Sequence, residues 1–126
     1  MSDDRSFWLQ RQLGFDVQSE GGRATASVEC DERHHNPHGV VHGAVIFALI
    51  DTAMGAATMD VIPSGSLCAT IEIQTRYLAP VLQGLIRAEV AVIKAGRRIV
   101  HLQASVHDGA GTPVAHATGS FAVLAG

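Results

Sequence analysis

Charge is scarce in this sequence. Only 17% of its 126 residues are charged, with 9 Lys+Arg against 12 Asp+Glu, and Lys94 is the one lysine among scattered arginines. A formal net charge of −3 with no basic cluster leaves no electrostatic footprint for nucleic acid, which is excluded as an expected partner. Cysteine is equally sparse. Cys30 and Cys68 are too few for a disulfide scaffold and lack paired metal-ligand spacing, so a reduced, cytoplasmic chain is expected. The opening Met1-Ser2-Asp3-Asp4 is acidic where a secretory signal would be basic. The length fits a single domain over residues 1–126, long enough to bury about two thirds of its unfolded surface.

Long apolar runs are limited to one, Val40 to Met59. Asp51 stands near its middle, where membrane insertion of a charge costs about 2.5 to 3.5 kcal/mol, and no basic anchors flank it. A buried helix is therefore expected and no membrane partner. Gly43 to Met59 is apolar around its whole circumference, which predicts burial on every side by a curved sheet, with Asp51 buried as well.

The rest of the chain alternates like sheet. Asp3 to Leu13 has helical spacing, with Asp3 or Ser6 as caps and Gly14 as a stop. Phe15–Ser19 and Arg23–Cys30 read as strands about a Gly21-Gly22 turn, followed by a polar loop from Asp31 to Val41. Pro63 breaks the central helix. Four further strands are predicted at Leu67–Pro80, Leu85–Lys94, Arg98–Asp108 and Val114–Leu124, joined as an antiparallel meander. In the first of these, Ala69, Ile71, Ile73, Thr75 and Tyr77 share one face, opposite Thr70, Glu72, Gln74 and Arg76. The architecture is α+β, one helix wrapped by about five to six strands. Its open sheet edges need a partner, which points to an oligomer.

Chemistry concentrates in Asn36-Pro37-His38-Gly39-Val40-Val41-His42-Gly43-Ala44 and the helix that follows. A glycine at a helix start offers an unhindered N–H at the positive end of the macrodipole, suited to an oxyanion, although it also serves as a plain turn residue. Asp51 is the only charged residue between Gly43 and Met59, and a buried carboxylate is costly unless it is bonded. It serves either catalysis or a structural hydrogen bond. The two positions are eight residues apart, roughly 12 Å along one helix, too far to act on one carbonyl. If both are catalytic, Gly43 of one subunit must meet Asp51 of another. His34, His35, His38 and His42 match no zinc spacing, and no metal or cofactor is expected. His42 suits a cap or a ligand contact. No nucleophile elbow, dinucleotide fingerprint or P-loop occurs.

At these residues the sequence resembles the hotdog-fold acyl-CoA thioesterases, most closely their phenylacetate-pathway (PaaI-like) branch. Asn36 to Gly43 is similar to the family's Asn…His-Gly-Gly loop, and Phe47-Ala48-Leu49-Ile50-Asp51-Thr52-Ala53 to its helix. The stretch Thr70 to Pro80 resembles its long third strand, and Lys94-Ala95-Gly96-Arg97 the hairpin after strand four. The resemblance implies a hotdog fold that hydrolyses aryl or medium-chain acyl-CoA to free acid and CoA. It implies an obligatory homodimer, assembled into a homotetramer, with sites shared between subunits. In that scheme the thioester carbonyl sits on the Gly43 amide and Asn36 positions thioester or water. Asp51 of the facing subunit is general base or nucleophile, and Thr70 helps hold the water. His42 and His38 lie beside the substrate, while Arg97, Arg98, Lys94 and Arg76 are candidates for the CoA phosphates. Two departures stand out: Ala44 replaces the second glycine, and the acid is Asp rather than Glu.

Two alternatives come with the fold. A dehydratase or hydratase of acyl thioesters needs an Asp-x4-His pair, which is absent. A non-catalytic acyl-CoA-binding protein would have no use for the acid at position 51.

Overall fold

Apolar and polar residues alternating along a strand give an antiparallel sheet one covered and one open face. In the computed structural model, which describes residues 6–126, six such strands form one sheet. The elements are α1 (Trp8–Leu13), β1 (Asp16–Glu20), β2 (Arg23–Cys30), a 3-10 turn (Glu32–His34), α2 (Gly43–Val61), β3 (Leu67–Tyr77), β4 (Gly84–Ala95), β5 (Ile99–Asp108) and β6 (Pro113–Leu124). This is the hotdog arrangement, one long helix held by a curved antiparallel sheet.

The sheet order is β1-β2-β4-β5-β6-β3, which corrects the expected meander. β4, β5 and β6 do run as a meander, but β3 pairs with β6 at the far edge. The cause is α2, which carries the chain across the sheet, so that β3 starts on the side opposite β2. Residues 78–83 return it, anchored beneath the helix start by the Val41 N–H on the Val81 carbonyl at 2.8 Å. The β1–β2 turn is as expected, with positive φ at both Gly21 and Gly22.

α1 begins at Trp8 after Phe7, without a side-chain cap, and ends at Gly14 in the left-handed region. Ser6 is therefore not its cap, and the expected start at Asp3 lies outside the described residues.

The core lies between α2 and the sheet. Leu49, Ile50, Ala53, Met54 and Ala57 are fully buried against inward residues such as Ile86, Ala88, Val100, Leu102 and Val106. The helix is not buried on every side, however. Phe47 and Met59 are exposed and Asp51, Thr52, Gly55 and Ala56 are only partly covered, which leaves a stripe open at i, i+4 spacing. Within one chain, one curved sheet encloses only part of the helix circumference, and an all-apolar helix therefore keeps an unpartnered side.

The loop before α2 is braced by two histidines. His34 is buried; its Nδ1 accepts the Asp31 N–H at 3.0 Å, so Nε2 carries the proton donated to the Leu13 carbonyl at 2.8 Å. His35 Nε2 lies 2.7 Å from the Leu82 carbonyl. The Arg33 guanidinium beside Asp31 holds that carboxyl down at about 2.

Candidate functional site

The loop Asn36 to His42 exists to deliver the start of α2. Asn36 Oδ1 accepts the N–H groups of His38 at 2.9 Å and Val40 at 3.4 Å, folding the segment over Pro37. That use of its oxygen leaves the Asn36 amide nitrogen as the group available to a ligand. His42 is the N-cap: its Nδ1 accepts the Ala44 N–H at 2.9 Å, leaving the ring proton on Nε2. Of the amides at this end, Ala44 is thus occupied, Val45 donates to the His42 carbonyl at 2.9 Å, and the Gly43 N–H has no acceptor among the described residues. An unpaired N–H in the first turn, at the positive end of a 19-residue helix, is a preformed donor for a developing negative charge.

Tyr77 fixes this donor and was not singled out from the sequence. Its hydroxyl donates to the Gly43 carbonyl at 2.8 Å, and a Cβ on Gly43 would lie 3.3 Å from the Tyr77 ring and hydroxyl. Burial pushes the Tyr77 hydroxyl above its ordinary range, which keeps it protonated and donating. The contact spans 34 residues, and the only sequence signal for it is that Tyr77 is the chain's one tyrosine, on the same predicted strand face as Ile73 and Thr75.

Two turns further along α2, Asp51 meets β3. The Thr70 hydroxyl donates to Asp51 Oδ1 at 2.7 Å, a charge-assisted bond that leaves the other carboxylate oxygen without a partner among the described residues. Asp51 is half-buried, not enclosed as expected, because it lies on the open stripe of α2. Cys68 is on the same face of β3; burial first and the Asp51 charge second push its thiol upward, so it stays protonated. The buried Cys30 thiol is pushed up to about 11, mainly by burial.

The Asp51–Thr70 contact depends on a β-bulge. Thr70 pairs with Phe121 and Glu72 with Ser120, leaving Ile71 without a partner and more than half exposed. Regular alternation would put Thr70 opposite Tyr77; the bulge shifts the phase, so that both face α2. The expected grouping of Ile71 with Ile73, Thr75 and Tyr77 is corrected accordingly.

Two cavities follow from this geometry. Asp51, Thr70 and Cys68 lie on a groove of about 1040 Å³ along the open stripe of α2. Gly43 and Tyr77 lie on a separate cavity of about 340 Å³, between the helix start and residues 78–81. The structure thus brings Asp51 and Thr70 together at the middle of the helix and places Gly43, Asn36 and His42 at its start. His38 is exposed in the loop. Arg76 is on the outer face of β3, and Lys94, Arg97 and Arg98 are exposed at the β4–β5 hairpin. None of the four basic residues lines either cavity. Among the described residues no His, Cys, Asp and Glu group could hold a metal.

Comparison with known proteins yields a consistent set. A family model described as the thioesterase superfamily matches residues 38–115. The chain is 30% identical over 90 residues to the 1,4-dihydroxy-2-naphthoyl-CoA hydrolase of Listeria monocytogenes, covering 71% of this chain and 73% of that protein. A conserved protein of Pseudomonas aeruginosa superimposes with a TM-score of 0.87 at 32% identity, over 92% of this chain and 93% of the other. The PaaI protein of the E. coli phenylacetic acid degradation operon superimposes with a TM-score of 0.86 over 94% and 85%, a likeness of fold at 22% identity.

Proposed function

The chain belongs to the thioesterase superfamily and is a hydrolase of acyl thioesters, and from that premise we propose a catalytic site made by two subunits. The substrate is an acyl-CoA with an aryl or medium-chain acyl group, and the products are the free acid and CoA. The observation that carries this reading is the separation of the two catalytic groups in one chain. Gly43 and Asp51 open on different cavities, as eight residues and roughly 12 Å of helix require. A second copy placing its Gly43 N–H over the first copy's Asp51 completes the constellation.

In that constellation the thioester carbonyl accepts the Gly43 N–H and is polarised by the helix end. The Asp51 oxygen not held by Thr70 takes a proton from water as its oxygen bonds to the carbonyl carbon, and the charge gathers on the oxygen facing Gly43. Collapse breaks the C–S bond, and CoA leaves as a thiolate that takes up a proton. Asn36, through its amide nitrogen, orients the thioester or the water; His42 and His38 border the entrance. Arg97, Arg98, Lys94 and Arg76 compensate the CoA phosphates. In the alternative course, Asp51 attacks the carbonyl itself. Labelled solvent oxygen distinguishes the two, since a nucleophilic Asp51 acquires label over repeated turnovers.

The experiment is release of CoA thiol from aryl and straight-chain acyl-CoAs by wild type and Asp51→Asn. Robust release, reduced at least a hundredfold in the variant, is expected. An Asp51→Asn protein that retains wild-type turnover overturns the assignment of the acid. Binding of acyl-CoA without release from any substrate moves the protein to a non-catalytic acyl-CoA binder.

A further inference from the structure

The groove that carries Asp51 continues well past it, and its direction bears on the acyl group. Its lining follows the open stripe of α2 from Phe47 and Asp51 through Gly55 to Met59, with Leu9 of α1 and Val17 of β1 across from the helix. Gly55 is one helical turn beyond Asp51 and Met59 two, about 6 and 12 Å along the axis. At Gly55 an added Cβ would meet only the Phe121 ring, at 3.8 Å, so the side of the groove is open there because the residue has no side chain. At the far end the lining turns polar, with the Ser19 hydroxyl donating to Asp60 at 3.1 Å.

We infer that this groove takes the acyl chain in extended form, running from Asp51 toward Met59, and that Gly55 and Met59 set the accepted chain length. The inference rests on Asp51 being the catalytic acid, because continuity with that carboxylate is what identifies an acyl chain as the occupant. Carbon–carbon bonds of about 1.5 Å advance an extended chain by roughly 1.3 Å per carbon, so the distance to Met59 accommodates about eight to ten carbons. An aryl acyl group occupies only the first turn. The volume of about 1040 Å³ lies at the upper end for ligand pockets, roughly 300–1,000 Å³, as an elongated ligand requires.

The test is a chain-length profile of kcat/KM from butyryl- to dodecanoyl-CoA. Wild type is expected to gain about fourfold per carbon while methylenes enter the groove, levelling or falling beyond about ten carbons. Gly55→Leu should cut octanoyl-CoA hydrolysis at least tenfold and leave butyryl-CoA within threefold. Gly55→Ala should shift the profile only slightly, and Met59→Trp should reduce decanoyl- and dodecanoyl-CoA while sparing hexanoyl-CoA. Equal losses at every chain length in Gly55→Leu, or a wild type without length preference, overturn the inference. So does a Gly55→Leu protein whose mass by light scattering changes while its profile does not, since that result assigns the groove to a second copy of the chain. Asp51→Asn is measured alongside: its full activity would remove the catalytic reading on which the inference rests, whereas its inactivity with an unchanged Gly55→Leu profile removes the inference alone.

Discussion

At position 43 two requirements coincide, and they can be separated by substitution. In the proposed site the residue presents a free N–H, and it must also leave room for the Tyr77 ring, 3.3 Å from where a Cβ would stand. Gly43→Ala keeps the N–H and adds only the Cβ, so Tyr77 must give by a few tenths of an ångström. Gly43→Pro removes the N–H at a helix position where proline is otherwise accommodated, following a residue already extended at φ −64 and ψ 134. A loss of kcat within about tenfold is expected for Gly43→Ala and of about 10²–10³ for Gly43→Pro, the size seen when an oxyanion donor is removed, with circular dichroism reporting an intact helix in both. Equal losses would make crowding against Tyr77, not the donor, the reason for glycine. The glycine and the carboxylate that the proposed site uses were legible in the sequence, because a glycine before an apolar helix and one charge within it are local features. Tyr77 was not, since its bond to the Gly43 carbonyl joins residues 34 positions apart, and neighbours in sequence carry no trace of it.

Among the elements, β3 shows why the alternation of residues was a good guide to the strand and a poor guide to the site. Ala69, Ile71, Ile73, Thr75 and Tyr77 alternate without a break, and hydrophobicity alone would bury Ile71 and expose Thr70. The structure leaves both exposed but turns Thr70, not Ile71, toward α2. From Ala115 to Phe121 β6 alternates regularly, with Phe121, Ala117 and Ala115 buried opposite Thr70, Thr75 and Tyr77, and β3 expels Ile71 to keep pace with it. An exposed isoleucine and a broken ladder are local costs that place Thr70 on Asp51, and deviations of this kind gather at working sites. Because Ile71 is the surplus residue, its deletion should leave Thr70 opposite Phe121 and Glu72 opposite Ser120 in a regular ladder. Turnover within about fivefold of wild type and equal or greater resistance to urea are the expected results. Thr70→Val, which loses the bond to the carboxylate, should lower kcat about ten- to a hundredfold. A folded deletion variant as impaired as Thr70→Val would show that the bend itself, beyond the phase, positions the hydroxyl. The strand boundaries, by contrast, were readable to within about three residues, because turn residues and ends of alternation are written locally. The order of strands was not, since pairing of β3 with β6 is decided by where α2 delivers the chain.

For the molecule as a whole, one chain holds all the named groups and still does not assemble them. The Gly43 amide and the Asp51 carboxylate face different cavities, the basic residues at positions 76, 94, 97 and 98 line neither, and α2 keeps one side uncovered. The proposed second copy answers all three at once, by supplying the missing donor, a source of positive charge and a roof over the groove that runs along the open side of the helix. This makes a quantitative claim about mixed oligomers. Asp51→Asn subunits retain Gly43, and Gly43→Pro subunits retain Asp51, so each homodimer is inactive while a heterodimer holds one site with both groups intact and one with neither. Equal amounts unfolded together and refolded distribute at random, so half the dimers are mixed and each has one working site of two. The mixture should recover about a quarter of wild-type activity, with the KM of wild type because the surviving site is unaltered. If the two groups instead acted within one chain, every subunit in the mixture would carry one lesion and no activity would return. Recovery at about a quarter, appearing only after exchange of subunits, is the outcome that ties the uncovered side of α2 to chemistry shared between its start and its middle.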